Sequence, residues 1–405
     1  MKITNRWMHC IAGVIILLFA GLIYAWSVLS GPIVSEFSNW SKGSISLTFT
    51  LAMSFFCLGG LAAGLVAGKI RERYIFLASA LCFLCGFMIV SSMHTISALY
   101  IGFGILAGLG AGFSYNTVMG SVTKWFPDKK GLVSGILLMG FGIGAFIIGK
   151  IYVACLSHYT WRQEFKILGI IVFLIIFLGA WIVRKPTEQE LKELGIEEKK
   201  KVVSEGTNFE AKQMVRKASF WLYFIWAVLL SAAALSLIAQ ASGIVTESAP
   251  ELAAGTVATI VGLISIFNGV GRVIFGGLYD KLGQKKTMML NNVFYLMSVV
   301  ITMTGLGNSS LVLIIIGYIL FGLSYGGVPP TNSAFIMDFF GIKSYPVNFS
   351  IINMNLLFAS FGGTLAGSIY DKQGTYMSIF MIMFGAVMVA TVCTFLIKRP
   401  EGAEK

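Results

Sequence analysis

Residues 264–280 read Ile264-Ser-Ile-Phe-Asn-Gly-Val-Gly-Arg-Val-Ile-Phe-Gly-Gly-Leu-Tyr-Asp280. The stretch lies in an apolar run that begins near Gly255, and Arg272 stands about two helical turns before the run ends at Asp280. At about 1.5 Å per residue, the guanidinium sits roughly 12 Å inside the boundary of a membrane helix. A charge at that depth costs a few kcal/mol on insertion scales, so it is rare and faces a bundle interior or a wet cavity. Three, four or seven positions away lie Ser265, Asn268, Gly269, Phe275, Gly276 and Tyr279. They form a polar, small and aromatic stripe, whereas Ile266, Val270 and Ile274 point elsewhere. This is the pattern of a site wall.

The rest of the chain supplies the membrane. Of 405 residues, 57% are hydrophobic and 12% charged, about half the charged fraction of a soluble domain. Twelve apolar spans are expected at 7–29, 43–69, 75–95, 98–122, 131–155, 164–184, 219–242, 255–279, 286–306, 310–336, 346–370 and 376–397. The first is too long for a signal peptide's apolar segment, and no small-residue cleavage site follows it, so it reads as a retained helix. A net charge of +12 would suggest a nucleic-acid partner in a soluble chain. Here its distribution speaks for topology instead. With the N-terminus inside, twenty-four of the 30 Lys and Arg fall on the cytoplasmic side and four on the other, so both termini are expected in the cytoplasm of a bacterial inner-membrane protein.

Two six-helix bundles are expected, 1–184 and 218–405, joined by a charged cytoplasmic linker at 185–217 that holds Glu197-Glu-Lys-Lys-Lys201. The halves echo each other. Ser114-Tyr115 recurs as Ser324-Tyr325, Trp125-Phe126 as Phe339-Phe340, and Gly64-Leu-Val-Ala-Gly-Lys-Ile70 as Gly276-Gly-Leu-Tyr-Asp-Lys-Leu282. Internal duplication of this kind is a transporter architecture. The six cysteines all lie in or at the ends of apolar runs, and Cys82 and Cys85 fall mid-helix without a nearby His, so they read as small apolar residues. The glycine rows at Gly60/Gly64/Gly68, Gly104/Gly108/Gly112 and Gly363/Gly367 are smooth helix faces, not phosphate loops.

The loop Gly276-Gly-Leu-Tyr-Asp280-Lys281-Leu-Gly283-Gln-Lys285-Lys286 resembles the signature of the major facilitator superfamily, missing only at Gln284. The resemblance implies an all-α membrane protein of twelve transmembrane helices in two pseudo-symmetric six-helix bundles, and a gating role for Asp280, Lys281, Lys285 and Lys286. In the first copy Gly68 stands where the acid belongs, leaving Glu72 as the nearby carboxylate. Further blocks, Tyr24-Ala-Trp26-Ser27, Ser121-Val-Thr-Lys-Trp-Phe-Pro-Asp-Lys-Lys-Gly-Leu132, Asn268-Gly-Val-Gly-Arg272 and Pro330-Thr-Asn-Ser333, resemble the oxalate/formate antiporter family, related to the monocarboxylate transporters.

A guanidinium offers five donors in a fork that fits a carboxylate. None of the 18 acidic residues falls mid-span, so the counter-ion expected for Arg272 is a substrate carboxylate. Monocarboxylate transporters have an Asp four residues before this Arg; here Asn268 stands there and cannot titrate. Oxalate-type members add a lysine in the eleventh span, where this chain has Asn355, or Leu356 if the alignment slips by one. Asn355 shares a face with Asn348 and Ile352 that can hydrogen-bond a hydroxyl or keto oxygen, and with Asn268 it is expected to bind substrate. One buried positive charge balances one carboxylate, so a monocarboxylate of the formate, lactate or pyruvate type is expected, by exchange. Proton symport, oxalate-type dicarboxylate antiport and non-transporting anion sensing stay open as alternatives. The resemblance adds Tyr24, Trp26, Tyr115 and Tyr325 as cavity residues. Lys150 lies near the outer end of its span, where it can snorkel to water or meet an anion. No nucleophile–base pair or metal cluster appears in the spans, so the expectation is a monomeric carrier in the lipid bilayer, without cofactor, catalytic residue or nucleic-acid partner.

Overall fold

The structure, a computed structural model, describes residues 6–40, 42–193 and 208–400. It is helical throughout, apart from one isolated bridge between Ala67 and Ile70. Among the described residues, eleven helices are long and apolar enough to cross a membrane. One of these, Ala254–Gly307, is two helices run together across Gly283, whose φ of 75° is a left-handed conformation that glycine adopts without steric cost. The twelve are therefore α1 (Arg6–Ala25), α2 (Leu47–Val66), α3 (Glu72–Ser91), α4 (Ile96–Trp125), α5 (Gly131–Cys155), α6 (Trp161–Ile182) and α7 (Ala218–Ser248), then α8 (254–282), α9 (284–307), α10 (Leu311–Phe340), α11 (Tyr345–Tyr370) and α12 (Met377–Leu396). The expected fold class stands.

The residues form two compact units. Unit 1 holds 1–128, 140–206 and 342–351; unit 2 holds 129–139, 207–341 and 352–405. In unit 1, α2 packs along α4 and α3 along α6. In unit 2, α10 packs along α8 and α9, and α7 along α12. The glycine rows explain how closely these helices run. A Cβ at Gly59 would stand 2.7 Å from the Leu109 carbonyl, one at Gly322 2.5 Å from the Ile264 carbonyl, and one at Gly271 would collide with the Leu323 carbonyl.

Regularity breaks where candidate site residues sit. The last turn of α1, Gly21–Ala25, is a tight 3-10 turn carrying Tyr24, and α4 opens with a π-helical stretch, Tyr100–Ala107. Pro329 and Pro330 lie inside α10. Of the charged linker, 194–207 lies outside the described residues. Its two ends are pinned differently. In unit 1, Arg184 bridges Glu190 at 2.5 Å; in unit 2, buried Phe209 donates its amide to the Phe340 carbonyl at 3.0 Å and packs on that ring.

Candidate functional site

Arg272 is 7% exposed, and Asn268, one turn earlier on α8, is 8% exposed. The Arg272 Nε donates to Asn268 Oδ1 at 2.9 Å, and its Nη1 donates to the Leu138 carbonyl of α5. Among the described residues Arg272 takes part in no ion pair. Two of its five N–H donors are thus engaged by neutral dipoles, which orient the guanidinium without neutralising it. Three donors remain, both hydrogens of Nη2 and one of Nη1. Gly326 of α10 lies against this turn: a Cβ there would meet the Arg272 amide at 2.9 Å. Its neighbour Tyr325 is buried on the same segment.

Asn355, expected as a ligand, is fully buried with both ends of its amide engaged in unit 2. Its Nδ2 donates to the Ile352 carbonyl at 2.6 Å and its Oδ1 accepts from Ser231 Oγ at 3.2 Å. In unit 1, Tyr115 sits in an aromatic cluster with Phe56 and Phe141 at 5.1 Å and stacks on Phe349 at 5.7 Å. Tyr24 meets the same Phe141 at 5.5 Å. Trp26, buried beyond the end of α1, packs on Phe103 at 4.5 Å. The seven expected binding residues therefore divide as Tyr24, Trp26 and Tyr115 in unit 1, and Asn268, Arg272, Tyr325 and Asn355 in unit 2. Lys150 is exposed, its ammonium 5.3 Å from the Phe146 ring.

The expected gating loop has a defined chemistry. Asp280 accepts the Gly131 amide on Oδ1 at 2.9 Å and the Leu132 amide on Oδ2 at 2.8 Å, capping the first turn of α5. A carboxylate there satisfies two orphan donors and complements the helix dipole. Lys281, Lys285 and Lys286 are exposed, and Lys285 lies 5.4 Å from the Phe395 ring. Glu72, by the degraded first copy, pairs with Lys185 at 2.7 Å. In the Lys124–Gly131 block, Trp125 and Phe126 are buried, Trp125 donates to the Arg184 carbonyl at 2.8 Å, and Asp128 pairs with Arg6 at 2.7 Å. That motif ties together one end of the helices of unit 1.

The sequence did not flag the Leu138 carbonyl, because a main-chain acceptor has no side-chain signature. It also did not flag Asn116, which donates to the Gly60 and Pro346 carbonyls at 2.8 and 3.1 Å. The signal available was an Asn at the centre of an apolar span.

A bundle of membrane-length helices with an unneutralised guanidinium in its apolar interior is the architecture of a multi-pass membrane carrier. The model of the Major Facilitator Superfamily matches residues 11–360 and 248–405, and the chain belongs to that family. It is 27% identical over 402 residues to the oxalate:formate antiporter of Oxalobacter formigenes, covering 98% of this chain and 92% of that one. It is 20% identical over 375 residues to monocarboxylate transporter 13 of Rattus norvegicus, covering 91% and 83%. Its fold matches the proton:xylose symporter XylE with a TM-score of 0.70 at 14% identity, over 98% of this chain and 96% of that one. Family and relatives point to a membrane transporter.

Proposed function

We propose that the chain is a secondary carrier of small organic anions, most suited to a monocarboxylate of the formate, lactate or pyruvate type. It works by exchange, as a monomer in a bacterial inner membrane with both termini in the cytoplasm. The observation that carries this reading is Arg272, buried, without an acidic partner among the described residues, and with three N–H donors uncommitted. The relatives support the substrate class, since one is named for oxalate and formate and the other for monocarboxylates. A neutral Asn355, in a span with no Lys or Arg between Lys343 and Lys372, supports a single-charge ligand. A dianion would bring a second negative charge to one buried cation, and that charge is costly to desolvate.

Asn268 acts in this reading as the group that orients Arg272 through Nε, leaving the remaining donors for a carboxylate. Tyr325 supplies an aromatic wall in unit 2, and Tyr24, Trp26 and Tyr115 supply aromatic surface in unit 1. The two halves alternate, exposing Arg272 to each side in turn, while Asp280 and the lysines after it hold one closed state. Exchange follows from electrostatics: an empty site carries an uncompensated buried charge through the reorientation, whereas a loaded one does not.

Counterflow in proteoliposomes tests the reading. Unlabelled formate, lactate or pyruvate inside should accelerate labelled uptake, and oxalate should compete weakly; equal uptake with and without internal substrate would reject exchange. Arg272→Lys keeps the charge but loses the planar fork, and is expected to lose about tenfold or more in rate, equivalent to about 1.4 kcal/mol.

A further inference from the structure

Asn291 of α9 is 1% exposed, and among the described residues neither its Nδ2 nor its Oδ1 has a hydrogen-bond partner. One turn earlier on the same face, Thr287 is fully buried with its hydroxyl also unpartnered. Buried amides left unmade are costly, and three such atoms on one helix face call for a function.

That face meets α10 at a particular step. A Cβ at Gly327 would stand 2.8 Å from Asn291 Oδ1 and 2.8 Å from the Phe275 ring of α8. Two and three residues later come Pro329 and Pro330, inside the helix. Proline has no amide hydrogen, so the carbonyls four residues earlier, those of Tyr325 and Gly326, have no donor at the usual α-helical position. A proline pair beside a glycine pair is also where a helix bends. The adjacent glycine of the same step, Gly326, lies against the Asn268 carbonyl and the Arg272 amide. The Gly326-Gly327 step is therefore wedged, with Arg272's turn against one residue and Asn291 against the next.

We infer that Asn291 is a positioning residue for the transport site. It is a polar latch whose amide takes the carbonyls of Tyr325 and Gly326 when α10 bends at Gly326–Pro330. The bend moves the Gly326 backbone against Arg272 and resets the guanidinium for release or capture of the anion. In the conformation described here the latch is open: neither end of the Asn291 amide has a partner among the described residues. The inference rests on the carrier reading for its consequence, but the latch itself is a property of unit 2.

Two measurements separate the latch from the transport reading. Hydrogen–deuterium exchange on purified full-length protein reads the bend directly. Asn291→Leu removes the latched state, so deuterium uptake across 325–332 should fall and the melting temperature should rise, since an unpartnered buried amide is replaced by an apolar group of similar size. A merely structural Asn291 would leave deuterium uptake across 325–332 unchanged, since its loss would shift no bend. In counterflow, the same variant should lose about fivefold in maximal rate at unchanged KM. The double change Pro329→Ala, Pro330→Ala restores the missing amide donors, so adding Asn291→Leu to it should change the rate no further. Unchanged deuterium uptake in Asn291→Leu, or rate effects that multiply with the proline changes, would overturn the latch. Absence of counterflow in the wild type would overturn the carrier reading and leave the exchange result standing.

Discussion

The start of α5 and the start of α11 solve one problem in two ways. Each begins beside a glycine of a neighbouring helix, and the neighbours are the two copies of one repeated segment. At α5, in unit 2, Gly131 and Gly276 approach so closely that a Cβ on either would collide with the other's carbonyl, and Asp280 clamps the crossing through the Gly131 and Leu132 amides. At α11, in unit 1, Gly64 meets the Pro346 carbonyl, with 2.7 Å left for a Cβ, and Gly68 occupies the acid's position. Here the tie is neutral: Asn116 of α4 donates to the Pro346 and Gly60 carbonyls. One crossing is locked by a charge on a helix N-terminus and the other by a side-chain amide on carbonyls. Duplication preserved the close backbone approach and let the chemistry of the lock diverge.

The largest expected effect attacks the crossing itself. Gly131→Ala drives a methyl into the Gly276 backbone and should cost about 1–3 kcal/mol or more, read as thermal unfolding of the purified protein. Gly64→Ala meets a looser contact and should cost less; the reverse order would break the comparison. Next come the locks. Asp280→Asn leaves one oxygen for two amides and removes the charge at the α5 N-terminus, for about 1 kcal/mol, a deficit that should shrink at high salt. Asn116→Ala should cost about as much with no salt dependence. Installing the missing acid, Gly68→Asp, should destabilise unit 1 rather than lock it, because Gly68 holds a φ of 87°.

The smallest effect separates the two linker pins by pH. The Arg184 guanidinium holds the Glu190 carboxyl well below the usual carboxylate range. A folded-state value below the unfolded one, about 4.3, gives a stabilisation that is present above that pH and lost as pH falls through the lowered value. Melting temperature should therefore hold from pH 7 to about 5 and decline below about 4, and Glu190→Gln should remove that part of the decline. Phe209→Ala, at the apolar pin, should lower the melting temperature equally at both ends of this range.

Much of the fold was legible because hydrocarbon admits few solutions. A chain that must satisfy its backbone within each span writes long apolar runs, and the break at Gly283 followed from the loop signature before any coordinate. Arg272 was legible for the same reason, since a cation at that depth without an acid in any span stands out in the residue list. Its partners were not. Asn268 read as a ligand, yet it bonds Nε of the arginine; Asn355 read as a ligand, yet Ser231 and the Ile352 carbonyl engage it. Asn291 lies in an apolar run like any tolerated Asn, and only its burial against Gly327 makes its unpartnered amide visible.

By itself, then, the sequence determined the helical membrane architecture, the duplication, and the presence of one positive charge deep in an apolar span. These are properties of composition and period, which burial in lipid makes unambiguous. Tertiary structure alone decided which donors of Arg272 are spent and which remain, that Asp280 clamps α5, and that Asn116 ties α11 to α2 and α4. Each of those outcomes turns on a main-chain carbonyl or amide brought within about 3 Å of a side chain from a distant helix, and main-chain groups are the same at every position of the sequence.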